Sequence, residues 1–188
     1  MKKIFVLNEQ SLKNTINSLE LIKNKIQGEI FNDFYKRCYN FFVRQANYYL
    51  LSSGIGDLVI AEIQNSWSYK KLKKRFRIYN TAEKAVYVEF GVGVIDEEDE
   101  HPNAKDAKYK YNVPSDSKDI DGSWMFKSFE EELDIPQKAI VGSKEMADGR
   151  LKVWTYGAQG CFYAFNALED LRKEVPNIWK EIKIKYWG

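Results

Sequence analysis

The sequence predicts an α+β fold, with a long N-terminal helix and a C-terminal helix packed on a small, mostly antiparallel β-sheet that carries two long loops. Three observations predict it. Apolar residues recur in steps of three and four from Leu12 to Tyr49, which marks one face of a helix. Between residues 72 and 157, short stretches alternate apolar and polar side chains and are separated by glycine, proline and acidic runs, as strands and turns do. From Cys161 onward the helical spacing returns. At 188 residues the chain is long enough to bury a core as one domain. Its parts are an N-terminal strand and long helix (1–55), sheet and loops (56–157) and a helical segment (158–188).

In chain order, residues 2–7 are β-prone, and Asn8 or Ser11 suits the N-cap of the long helix. The helical face then runs through Leu12, Ile16, Leu19, Ile22, Ile26, Ile30, Phe34, Cys38, Phe42 and Ala46. Gly28 interrupts it at a cost of about 1 kcal/mol and permits a kink. Some forty residues of helix would extend about 60 Å at 1.5 Å per residue, so the helix either bends at Gly28 or projects toward a neighbour. "SSGIGD" ends it. "DLVIAEIQNS" fits a short helix or a strand, and the pattern does not separate the two. The alternation through Leu72, Phe76 and Ile78 predicts one strand over 72–79. Ala82 to Phe90 reads as a short helix ended by Gly91 and Gly93. The segment 94–108 turns acidic and loop-like, "KYKYNV" and "GSWMFKSF" read as strands around a turn at Asp121–Gly122, and 128–150 is a second long loop. Both loops are expected to be mobile in a free subunit and to order on assembly, because their charge and low apolar content cannot offset ordering entropy. "LKVWTYG" is the last strand. The final helix runs from Cys161 until Pro176, which is expected to break it or open a second helix.

Composition narrows function. The apolar share of 44% and charged share of 30% are ordinary, while 15% aromatic is high and suits a core or a protein interface. A net charge of +2 demands neither nucleic acid nor a membrane. Cys38 and Cys161 are too few for a disulfide scaffold and sit among apolar residues, which suits reduced thiols. The apolar run Ile4 to Leu7 is shorter than a signal-peptide core, and no stretch reaches the length of a membrane span. Synthesis and folding in the cytosol are the expectation.

The chemistry-bearing motifs are few. Gly91-Val92-Gly93 lacks the third glycine and the strand-to-helix setting of a dinucleotide fingerprint, and no GxxxxGK[ST] occurs. Asp96, Glu97, Glu98, Asp99 and Glu100 beside His101, the only histidine, offer metal ligands, but adjacent residues point apart and converge poorly. A solvated acidic loop is the plainer reading of that run, and a metal-dependent hydrolase its rival. No G-x-S-x-G is present, so no enzyme, cofactor or metal is expected. Lys70 to Arg77 carries six basic residues and resembles a nucleic-acid patch. On a strand, Lys73, Arg75 and Arg77 fall on the face opposite Leu72, Phe76 and Ile78, as on a lysine-protected edge. Glu89, set in an apolar block, should have a polar partner, from the N–H groups of the glycine turn or from a basic residue of another element.

The order "AVYVEFGVGV", "HP", "DGSWMF" and "WTYGAQGCFYAFNAL" resembles the tail-completion, or head–tail joining (neck), family of tailed bacteriophages. The resemblance covers about Ala85 to Leu171 and rests on a "YVEFGTG"-like block, a His-Pro, a tryptophan strand and a glycine turn leading into an amphipathic last helix. Val92 stands where threonine is usual, and "AQGCFYAF" lacks the usual arginine-proline. The resemblance implies a structural virion protein, assembled as a homo-oligomeric, commonly sixfold ring at the neck. It would meet other neck, tail-terminator or tail-tube proteins, with double-stranded DNA passing through unread and no membrane involved. On it, Tyr87, Glu89, Phe90, Gly91, Gly93, His101, Pro102, Trp124, Gly157 and Phe165 are structural or interface positions. Lys73, Arg75, Arg77 and the acids 96–100 are charges facing an assembly partner or DNA. The alternative is a small nucleic-acid-binding protein using Lys70 to Arg77.

Overall fold

The computed structural model describes residues 9–72, 75–93, 100–110 and 123–188. It is α+β, with helices at both ends of the chain and small antiparallel sheets between. The chain forms two compact units, one of Met1–Cys38 with Glu174–Gly188, the other of Tyr39–Lys173.

In the first unit, helix α1 spans Glu9–Lys25, a π-helical turn spans Ile26–Ile30, and α2 begins at Phe31. Helix is thus already established ahead of Ser11, and the expected strand 2–7 lies outside the described residues. The expected interruption at Gly28 takes the form of the wide turn, in which the Phe31 N–H reaches back to the Ile26 carbonyl. The C-terminal part of helix α6, Tyr163–Trp187, belongs to this unit from Glu174. Trp179 meets the Phe34 ring edge-on at 5.5 Å, Arg37 Nη1 donates to Glu181 at 2.7 Å, and Lys185 Nζ donates to Asp33 at 2.8 Å. The Lys185 ammonium, aided by Arg37, holds the Asp33 carboxyl below its usual range.

Helix α6 is not broken at Pro176, contrary to expectation. Proline removes one N–H and disfavours the preceding turn by about 3 kcal/mol. Here Pro176 is exposed while Leu171, Ile178 and Ile182 on the same helix are buried, so burial on both sides of the proline carries the helix through it.

The second unit begins within α2 (Phe31–Leu51). Phe42, Ala46 and Leu50, each four apart, are buried, as are Val59, Ile60 and Ile63 of α3 (Asp57–Asn65), which settles "DLVIAEIQNS" as helix. The basic region is not one strand over 72–79 but a hairpin of β1 (Trp67–Leu72) and β2 (Arg75–Asn80). β1 was hidden because its alternation is short: Trp67 and Tyr69 alternate with Ser68 and Lys70, but four of its six residues are exposed, and its ladder to β2 holds it extended. Helix α4 (Ala85–Phe90) leads directly into β3 (Gly91–Gly93), and α5 spans Ala104–Ala107. Residues 108–110 are not strand, and the rest of "KYKYNV" and the 121–122 turn lie outside the described residues.

β4 (Trp124–Ser128) and β5 (Gly142–Glu145) flank β6 (Leu151–Thr155) in an antiparallel three-stranded sheet, while β7 (Gly157–Gln159) pairs with β3. The expected loop 128–150 is therefore corrected. It supplies β5 and two short 3₁₀ turns, and it buries Leu133 and Ile135. Two apolar anchors and a ladder partner outweigh its charge.

Candidate functional site

The site begins with a missing cap. The Phe162 carbonyl accepts the first helical bond of α6, from the Asn166 N–H at 2.8 Å, so Phe162 is the N-cap residue. Phenylalanine has no oxygen with which to satisfy the free N–H groups of the first helical turn. Glu89, from the last turn of α4, supplies it across the fold. The Ala164 N–H donates to Glu89 Oε2 at 2.7 Å and the Phe165 N–H to Oε1 at 2.8 Å. These are the second and third helical positions, where a local cap oxygen would act, and the positive end of the helix favours a carboxylate there.

His101 completes the arrangement. Its Nε2 lies 2.8 Å from Glu89 Oε1, and its Nδ1 accepts from the Asn103 N–H at 3.0 Å. An acceptor at Nδ1 assigns the ring proton to Nε2, which therefore donates to Glu89. Pro102 suits the second position of the turn that the Ala104 N–H closes on the His101 carbonyl at 2.8 Å. Glu89 is 7% and His101 3% exposed. Phe90 at 4.3 Å, Phe162 at 4.8 Å and Phe165 at 5.4 Å surround the imidazole ring. Behind Phe90, Tyr109 stacks at 4.6 Å and its hydroxyl donates to the Gly91 carbonyl at 2.6 Å.

Backbone packing holds the two strands of the site together. Gly91 and Gly93 have φ of +91° and +88°, which favours glycine. A Cβ at Gly91 would lie 2.3 Å from the Ala158 carbonyl oxygen, and one at Gly160 would lie 2.0 Å from that of Glu89. The Cys161 N–H donates to the Val88 carbonyl at 2.8 Å, so the entry to α6 runs along the exit of α4. Beside the pair opens an apolar groove of about 440 Å³, lined by Phe42, Phe76, Ile78, Phe90, Phe165 and Leu168.

The structure brings Glu89, Phe90, Gly91, Gly93, His101, Gly157 and Phe165 together, with Pro102 adjacent. It leaves others apart. Tyr87 is on the exposed side of α4, and Trp124 pairs through its backbone with Thr155 in another sheet. Lys73 and residues 96–99 lie outside the described residues, Glu100 is exposed, and Arg75 and Arg77 are exposed on the hairpin with Lys70 opposite Arg77. One sequence expectation is corrected: His101 is a buried core group, not the end of a solvated run. The expectation that Glu89 has a polar partner holds, through a basic residue of another element, His101, and through the α6 N-terminus, and not through the N–H groups of the glycine turn. Phe162 and Tyr109 were missed, although a helix starting straight after Cys-Phe, with no capping residue, signals a cap supplied from elsewhere.

Chemically, each carboxylate oxygen and each ring nitrogen carries a hydrogen bond, so the pair serves to tie three segments of chain. Among the described residues, no group of three His, Cys, Asp or Glu converges to hold a metal. Burial pushes the Cys38 and Cys161 thiols up to about 11, away from nucleophilic activation. No helix among the described residues is long and apolar enough to cross a membrane. No protein-family model, curated protein or solved structure matches the chain.

Proposed function

We propose that the protein is a structural component of a tailed-bacteriophage neck, completing the tail and joining it to the head as a ring subunit around the DNA channel. One observation supports this reading. The separated pieces that carry the resemblance, "VEFG", "HP" and "GCFYAF", form a single buried tie, and that gives the sequence pattern a physical reason to occur as a set. A ring subunit needs a rigid frame and exposed edges, and it needs no acid–base apparatus. The test measures the mass of the protein alone and mixed with the tail-terminator and tail-tube proteins of the same phage. A joint complex is expected, and a protein that enters no complex with them in any mixture would overturn the reading.

The exposed basic face of β1–β2 favours nucleic-acid binding as the second reading. Lys70, Arg75 and Arg77 would contact phosphate, which carries no sequence information. DNA affinity should then fall steeply with salt. Changing Lys70, Arg75 and Arg77 to Glu is expected to move stability by no more than about 0.5 kcal/mol while impairing head–tail joining. A variant that melts, joins and binds DNA like the parent removes this face from both readings, and one that joins normally but loses DNA affinity selects the second.

A further inference from the structure

We infer that α1 is an association surface for a second copy of this chain, packing α1 against α1. Leu12, Ile16, Leu19 and Ile22 lie on one side of the helix and are between 49% and 60% exposed. The same spacing continues through the π turn to Ile30, which is 2% exposed, and to buried Cys38. In that part of the unit, Asp33, Phe34 and Arg37 meet α6 through Lys185, Trp179 and Glu181. One apolar seam is therefore covered at its C-terminal end and bare over α1, where no described element covers it.

Three features point to a second copy as the cover. The first is the heptad identity of the stripe. Leu12 and Leu19 fall at d and Ile16 at a, the combination that favours two-stranded pairing, with Lys23 at the next a as a polar residue that fixes register. The second is charge. The helix holds two glutamates and three lysines, so two copies approach without strong repulsion. The third is area and length. The four side chains leave roughly 400 Å² of apolar surface bare, within the range of the largest patch on a monomer. Two copies facing each other would bury roughly 800–1,000 Å², which places the association among weak, concentration-dependent ones. The helix is 17 residues long, enough for two heptads of such a seam.

This association stands apart from the neck reading, because it is asked of the chain alone. Sedimentation equilibrium of the full chain between about 1 and 200 μM brackets the affinity expected for such an area. The mass is expected to rise with concentration from 22.0 kDa. The double substitution Ile16→Glu/Leu19→Glu is expected to weaken association at least about tenfold. Leu21→Glu, on the opposite side of α1, is expected to associate like the parent. A parent that stays monomeric throughout overturns the proposal. So does an Ile16→Glu/Leu19→Glu variant that associates like the parent, or a Leu21→Glu variant that loses as much. Circular dichroism guards against misfolding: loss limited to the helicity of α1, with the core melting unchanged, is compatible with the proposal.

Discussion

Replacing Glu89 with alanine is expected to destabilise the second unit by at least about 3 kcal/mol, because it leaves three buried donors without an acceptor. The substitution strips the acceptor from three donors at once, the Ala164 and Phe165 N–H groups and His101 Nε2–H, in a site from which water is largely excluded. Each buried donor left unsatisfied costs about 1–3 kcal/mol. Glu89→Gln keeps the shape and one acceptor oxygen but turns an NH₂ group toward an N–H donor, so it should fall between parent and alanine. Adding His101→Ala to Glu89→Ala should cost less than the sum of the single changes, since the two groups form one network. Chemical denaturation of the parent, Glu89→Ala, Glu89→Gln, His101→Ala and the double variant measures all of this. A Glu89→Ala midpoint equal to that of the parent would show that the carboxylate is not the cap of α6.

The second large effect is expected at Gly91. Gly91→Ala places a methyl group 2.3 Å from the Ala158 carbonyl oxygen and 2.6 Å from the Gly160 nitrogen, at a φ of +91°. Backbone, not a flexible side chain, blocks it, so the β3–β7 pair must separate. Left-handed strain and overpacking each contribute about 1–3 kcal/mol, and their sum should leave Gly91→Ala poorly folded or melting far below the parent. Gly149→Ala is the control. It shares a positive φ of +79° but has nothing within 4 Å of the added carbon, so only the strain term, about 1 kcal/mol, is expected. Equal melting of the two variants would mean that the close approach of β3 and β7 does not constrain the fold.

The α+β class, the long N-terminal helix, its interruption near Gly28, and the strands at 124–128 and 151–155 were legible because apolar periodicity is a local property of the chain. The glycines of 91–93 were legible as backbone features for the same reason. Where periodicity was absent or overruled, the sequence reading failed. Trp67–Leu72 has only the brief alternation of Trp67 and Tyr69 with Ser68 and Lys70, and its partner β2 makes it a strand. The stretch 128–150 is ordered by Leu133, Ile135 and the β5–β6 ladder despite its charge. α6 passes through Pro176 because burial on either side of it outweighs one lost hydrogen bond. By itself the sequence determined that Glu89, a carboxylate in an apolar block, needed a partner. Tertiary structure alone decided which one, because a helix capped by Phe162 and a histidine 12 residues from Glu89 become neighbours only once the chain has folded.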